Sequence, residues 1–294
     1  MRKLAASLLI STIVACGGGG GETGNDSAAC NIIGLNAKVI NGTTCQESLN
    51  SSVVRLAQFG SAGDFQGVFC TGVMIAPRTV LTAAHCAGAF GSGTVAAIAG
   101  DPGNVRTSRA STFSIAPGFR RGEDRLFDDV MIVRLVEDLS IPVMPVLLSR
   151  SVDVGEPGYV FGYGTTVVGS GADPEQGLEL QGGTMTVREV TSNHIFVLFD
   201  GNVNVCNGDS GGPLIVSANG QPAVAGIVSQ GSKPGCAEGD VTTFTNLQSS
   251  SVLPWLAREA PNAAIRSLTS DDAIESTEVD ADESLPPQES ETSR

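Results

Sequence analysis

Gly208-Asp209-Ser210-Gly211-Gly212-Pro213 is the stretch on which the reading of this chain turns. A serine hydroxyl is a poor nucleophile until a base takes its proton. Glycines on both sides let the backbone turn sharply and let a substrate carbonyl approach. Main-chain N–H groups in such a turn can bind an oxyanion as it forms. The same six residues also suit a tight turn between strands, so the motif needs a base before it means chemistry. Upstream lies Thr82-Ala83-Ala84-His85-Cys86, which puts a histidine at the end of the apolar strand Val80-Leu81-Thr82.

The run also satisfies Gly-x-Ser-x-Gly, the elbow of a fold whose histidine follows its serine in the chain. Here there are two histidines, His85 and His194, and both precede Ser210. The elbow reading fails on that inventory, and the same shortage leaves no His-rich zinc cluster. His85 is the candidate base. His194 opens the run Ile195-Phe196-Val197 and reads as a surface or strand-edge residue. A third group must orient the base and stabilise its cation. Asp128 and Asp129 open the strand Val130-Met131-Ile132-Val133-Arg134-Leu135. Successive side chains on a strand face opposite ways, so one of the two can point at His85.

Around these motifs the 294 residues divide by composition. Met1-Arg2-Lys3 and the apolar run Leu4–Ala15 make a signal peptide, and the twelve residues of that run are too few to span a bilayer. The run ends Ile13-Val14-Ala15-Cys16 before five glycines. Residues 17–29 are small and polar and read as a flexible linker reaching on the order of 20 Å. The net charge is −14. The stretch 267–294 carries nine acidic residues and one basic, hence −8, and leaves −6 for the rest. This acidic tail is expected to be disordered. Neither part has the basic patch that nucleic-acid binding needs.

Between them, short runs rich in Val, Ile, Thr and Phe are punctuated by Gly and Pro. Val53–Phe59, Val68–Ile75, Thr79–Ala83, Thr94–Ile98, Val130–Leu135, Tyr159–Phe161, Thr184–Val187, His194–Phe199 and Ala223–Ser229 read as strands. An all-β barrel or sandwich follows. One helix is expected near the end, with Pro254 in its first turn and Trp255, Leu256 and Ile265 on its packed face.

The order His85, Asp129, Ser210 and the motifs around them resemble the trypsin/chymotrypsin family of serine endopeptidases, over roughly Val39 to Ala260. The register Asp129-Val130-Met131-Ile132-Val133-Arg134-Leu135 matches the family's Asp-Ile-Ala-Leu-Leu-x-Leu. The resemblance implies an all-β chymotrypsin-like fold of two six-stranded antiparallel β-barrels, about 39–148 and 149–250, then a C-terminal helix, in a domain spanning 39–266. It implies the triad His85, Asp129 and Ser210, with Gly208 and Ser210 N–H groups as the oxyanion hole. No cofactor and no metal are required.

The resemblance extends to other positions. Ile13-Val14-Ala15-Cys16 resembles a bacterial lipobox, so Cys16 is expected to carry lipid after removal of residues 1–15. That leaves six of the seven cysteines. The family pairs Cys70–Cys86 and Cys206–Cys236, which leaves Cys30 with Cys45. Val39-Ile40-Asn41-Gly42 is similar to the family's activated N-terminus. Lys38 precedes it, so residues 16–38 read as lipidated linker and propeptide of a zymogen cut after Lys38. The freed Val39 amine would pair with Asp209. Asn204 stands where trypsin-type members place an Asp, six residues before the nucleophile. Ser229-Gln230-Gly231 matches a substrate-pairing Ser-Trp-Gly segment, and Thr242 falls on the pocket wall. Together these imply a neutral, small-to-medium P1 residue.

The expected partners are protein or peptide substrates, an activating protease and the membrane, through the lipid on Cys16. The chain is read as a monomer in a bacterial cell envelope, an outer-membrane lipoprotein facing periplasm or cell surface. The rival reading is a non-catalytic, pseudoprotease-type binding lipoprotein on the same fold.

Overall fold

The structure is a computed structural model, and it describes residues 26–37, 44–46, 48–91, 93–165, 177–199, 204–232, 240–263 and 265–266. The signal peptide, Cys16, Lys38, Val39, Cys236 and the acidic tail therefore lie outside the described residues.

The first described elements are helix α1 (Asp26–Ile32) and two short strands, β1 (Asn36–Ala37) and β2 (Thr44–Gln46). Strands β3 (Val53–Phe59), β4 (Phe65–Ala76), β5 (Thr79–Thr82), β6 (Thr94–Asp101) and β7 (Asn104–Ile115) follow. A small hairpin, β8 (Arg120–Arg121) with β9 (Leu126–Phe127), then leads into β10 (Met131–Leu135). Strands β3 to β7 and β10 close the first barrel in the order β10-β5-β4-β3-β6-β7. Its apolar runs are covered on both faces: Val53, Val54, Leu56, Val73, Met74, Ile75, Val80, Leu81 and Met131 to Val133 are fully buried.

Strand β11 (Val146–Leu147) starts the second half, followed by β12 (Pro157–Gly162), β13 (Leu180–Val190), β14 (His194–Phe199), β15 (Pro213–Ala218), β16 (Gln221–Gly231) and β17 (Val241–Asn246). The pairings β13-β12-β15-β16-β17-β14 return to β13, so these six antiparallel strands close a second barrel. Helix α2 (Val252–Glu259) buries Val252, Trp255 and Leu256, and Pro254 occupies its first turn as expected. Ile265 is not part of that helix; it lies in β18 (Ile265–Arg266), which runs parallel to β11. Two six-stranded barrels with a C-terminal helix are thus the architecture that the sequence implied.

Two features differ from expectation. The segment read as a flexible linker to Ala29 is helical from Asp26, because Ala29, Cys30, Ile33 and Leu35 are buried in the apolar core. Cys30 is bridged to Cys45, which lies in β2 against Leu180 of β13. The residues ahead of the expected cut are therefore docked on the second barrel. Strand β7 was also unforeseen. Its residues are mostly exposed, so it lacks the apolar run that marks the others.

Between the barrels a charged group is buried. Arg55 of β3 is 5% exposed, and its guanidinium donates to the carbonyls of Gly177, Leu178 and Gly100 and lies over the Tyr163 ring. Burial pushes its pKa down, while Tyr163 and Asp101 oppose that. Three carbonyl acceptors engage its two terminal nitrogens and offset the cost of taking the cation out of water, while Nε has no partner among the described residues. No described helix is long and apolar enough to cross a membrane.

The Cys30–Cys45 bridge closes a loop with a sequence separation of 15. Replacing both cysteines with alanine should lower the unfolding free energy by about 3 kcal/mol, the chain-entropy value for such a loop. Urea unfolding of the two proteins measures it.

Candidate active site

His85 lies in a 3-10 turn (Ala84–Gly91) directly after β5. Cys86 beside it is bridged to Cys70 of β4, which fixes the turn against the barrel wall. Cys70, His85 and Cys86 cluster closely enough to suggest a metal site, but both sulfurs are consumed by the disulfide.

Asp129 is fully buried and meets two of the three nitrogens of His85, the backbone N and Nδ1. The His85 backbone N–H donates to Oδ1 at 2.8 Å, and Nδ1 meets Oδ2 at 2.7 Å. A carboxylate only accepts, so Nδ1 carries the proton and Nε2 is left as the accepting nitrogen. Ser229 Oγ donates to the same Oδ2 at 2.6 Å, and Thr245 Oγ1 to the Asp129 carbonyl at 3.0 Å.

Asp128 and Asp129 do not differ by strand alternation, as the sequence suggested. Strand β10 starts two residues later, and Asp128 has φ +47°. This left-handed residue turns the chain, and both carboxylates are buried on different partners. Asp128 Oδ1 accepts from Ser251 Oγ at 2.8 Å and from Asn193 Nδ2 at 3.3 Å.

The segment bearing Asp129 is bonded residue by residue to the second barrel. Gln230 accepts from the Leu126 N–H at 3.1 Å and donates to the Asp124 carbonyl at 2.8 Å. His194 Nε2 donates to the Leu126 carbonyl at 2.7 Å. His194 is 3% exposed and packed against Phe127 and Phe196. It is a satisfied core histidine and not a surface residue. The Arg125 guanidinium sits 5.3 Å over the Phe196 ring.

Ser210 is half-buried in the loop before β15. Gly208 and Gly211 on either side have φ +99° and +84°, conformations that favour glycine. Thr71 of β4 donates its N–H to the Ser210 carbonyl at 2.8 Å, and Cys86 Sγ lies 3.9 Å from that oxygen. The loop is thus held beside His85. Among the described residues Ser210 Oγ and His85 are not hydrogen-bonded to each other. Such bonds are often long until substrate arrives.

The backbone donors of the loop divide cleanly. Asp209 N–H goes to the Cys206 carbonyl at 3.0 Å, Gly211 N–H to Val228 at 2.9 Å and Gly212 N–H to Asp209 at 2.8 Å. Among the described residues the Gly208 and Ser210 N–H groups donate to nothing. Those are the two that the oxyanion expectation named.

Asp209 is buried, and its carboxylate accepts from Gly164 N–H at 2.7 Å and Cys206 N–H at 2.8 Å. No cation pairs with it among the described residues. Burial outweighs the two N–H bonds and raises its pKa to about 6. Cys206 is disulfide-bonded, and its expected partner Cys236 lies outside the described residues.

Of the specificity residues, Asn204 is half-buried, Gly231 exposed and Thr242 buried. Gly231 and Thr242 are register partners across β16 and β17. The Thr242 hydroxyl has no hydrogen-bond partner among the described residues. Asp240 was not foreseen here. It is buried, and its Oδ1 accepts from Ser232 N–H at 2.5 Å and from Ser232 Oγ at 2.7 Å. Thr71, the Ser229 hydroxyl and the Gln230 bridge were also missed. Nothing local to their sequence marks them, since each acts on a residue about a hundred positions away or more.

Residues 39–256 match the family model described as Trypsin. The chain is similar to brachyurin of Leptuca pugilator, 30% identical over 196 residues, which cover 61% of this chain and 83% of that protein. It is 31% identical to chymotrypsin-2 of Vespa crabro, over 65% of this chain and 88% of that one. It is 30% identical to kallikrein-7 of Homo sapiens, over 71% and 83%.

Asp209 makes the uncut chain sensitive to pH. Its pKa is raised from 3.8 to about 6 on folding, so the folded state binds the proton more tightly than the unfolded one. Its stabilisation is present in full below about pH 4 and is lost as pH rises through about 6. The loss is on the order of 3 kcal/mol. Relative to an Asp209→Asn variant, the uncut protein should lose about that much between pH 4 and pH 7 in denaturant unfolding.

Proposed function

The chain belongs to the trypsin family, and from that premise we propose that it is a serine endopeptidase working through His85, Asp129 and Ser210. His85 Nε2 takes the Ser210 proton as Oγ attacks a peptide carbonyl. The Gly208 and Ser210 N–H groups receive the oxyanion. His85 returns the proton to the leaving amine, and water then releases the acyl group by the same steps. The observation that carries this reading is the 2.7 Å contact of His85 Nδ1 with the buried Asp129. It fixes the tautomer whose Nε2 accepts, and it stabilises the cation that follows.

The protein is made as a zymogen cut after Lys38. Asp209 supports this, being a buried carboxylate with two N–H donors and no cation among the described residues. A Val39 ammonium supplies the missing charge and favours the ionised form. The domain of 39–266 then stays joined to the segment ahead of the cut through Cys30–Cys45. That segment runs back to Cys16, so a lipid there would hold the cut enzyme at a bacterial outer membrane as an exported protein.

Specificity is for a neutral, small-to-medium P1 residue. Asn204 brings no charge to the pocket floor, and the carboxylate of Asp240 is engaged by Ser232. Thr242 opposite Gly231 narrows the slot. Lys38 is then not a site the enzyme cleaves in its own precursor, and a separate protease activates it.

A fluorophosphonate probe should label Ser210 in the cut protein, and Ser210→Ala should lower kcat on the order of 10⁴-fold or more. Normal turnover by that variant disproves the assignment. Protein cut at Lys38 and profiled on a peptide library should gain activity over the uncut chain. Its preferred P1 residues should be neutral. A profile dominated by Arg or Lys refutes the pocket reading, and full activity with the Lys38–Val39 bond intact refutes the zymogen.

A further inference from the structure

The oxyanion loop is pinned by its carbonyls. From 207 to 210 each carbonyl has an N–H or O–H partner. Thr165 N–H donates to Asn207 at 2.9 Å, Gly212 N–H to Asp209 at 2.8 Å and Thr71 N–H to Ser210 at 2.8 Å. The Gly208 carbonyl is different, because its partner is a side chain: Thr71 Oγ1 donates to it at 2.8 Å. The other end of that peptide, the Asp209 N–H, is held by the Cys206 carbonyl at 3.0 Å. The Gly208–Asp209 peptide plane is therefore fixed at both ends, one of them by a hydroxyl from the first barrel.

Thr71 is fully buried, and its other contacts show why the hydroxyl is well aimed. Oγ1 accepts from the Tyr163 N–H at 3.0 Å, so its one proton is directed at Gly208. Its own carbonyl accepts from Thr82 Oγ1 at 2.7 Å. The next residue after Tyr163, Gly164, donates its N–H to Asp209. One short segment, Tyr163-Gly164, thus holds both the hydroxyl that sets Gly208 and the carboxylate of Asp209.

We propose that Thr71 is a positioning residue for catalysis: its hydroxyl sets the Gly208–Asp209 peptide so that the Gly208 and Ser210 N–H groups converge on the oxyanion. The inference rests on the endopeptidase reading. A donor pair acts on the transition state to the extent that it is already in place when charge develops. Loosening the peptide spoils that placement with little effect on ground-state binding, since Thr71 is buried beneath the loop and out of reach of substrate.

The test uses full-length protein cut at Lys38, with Thr71→Val and Thr71→Ser variants. Valine keeps the shape and removes the hydroxyl, while serine keeps the hydroxyl. Thr71→Val should lower kcat on the order of tenfold to a hundredfold, with KM within about twofold. The affinity for a peptide boronate, which forms a tetrahedral adduct, should fall in parallel. Thr71→Ser should restore both. Active-site titration with the fluorophosphonate counts folded sites, so that misfolding is not read as lost kcat. Thr71→Ala, which is smaller, replaces the valine variant if that does not fold. Unchanged kcat in the hydroxyl-free variant overturns the proposal. So does a loss that serine fails to rescue, or one accounted for by fewer titrated sites. Failure of the wild-type protein to react with the probe sinks the endopeptidase reading instead, which keeps the two failures apart.

Discussion

The carboxylate of Asp129 is the constraint on which the rest depends. It has no exposed surface, and a carboxylate without water must find its donors in the protein or cost several kcal/mol. Two of those donors are His85 groups from the first barrel. The third is Ser229 from the second, and Thr245 there holds the adjoining carbonyl. Neither barrel satisfies Asp129 alone. Docking of the barrels and assembly of the site are therefore one event, and the charge is an asset only in the docked state. Gln230, His194, Asn193 and Ser251 repeat the same logic along residues 124–128, each meeting a polar group of the first barrel with a side chain of the second.

Asp209 is the counter-example within the same molecule. It is buried too, though less completely, and its donors are two N–H groups. Its pKa goes up, because hydrogen bonds from the backbone do not replace a cation when desolvation is nearly complete. Asp129 has one donor more, since three converge on its two oxygens. One carboxylate is built into the frame by donors from both barrels, and under the proposed activation the other would gain the charge of the Val39 amine.

Much of this was legible in advance, and the reasons differ by element. Strands β3 and β14 fall on the runs Val53–Phe59 and His194–Phe199 because most of the apolar residues there are buried, Val53, Val54, Leu56, Ile195 and Val197 among them. Strand β7 escaped because its side chains face water and leave no period to detect. Helix α1 escaped because it is short and made mostly of small residues, and what holds it is a disulfide and its packing on β13. His85, Asp129 and Ser210 could be singled out as candidates because nucleophilic chemistry restricts residue type and spacing. Thr71, Ser229 and His194 could not. A threonine, a serine and a histidine each have many uses, and the partners that decide among them come from other strands.

The position of α1 bears on how the proposed cut after Lys38 would take effect. Cys45 is fixed by its bridge and by pairing with Leu180. Val39 lies six residues before it, a span of at most about 20 Å when extended. The helix ahead of the cut is held separately by its buried Ala29, Cys30, Ile33 and Leu35. Under the proposed zymogen reading, a cut at 38 would put the short arm that leads to Cys45 on one side and the docked α1 on the other. Any gain from ion pairing at Asp209 must offset only the ordering of that arm, since burial of α1 contributes equally before and after. Activation and tethering are then separable in free energy, although both pass through the same cystine.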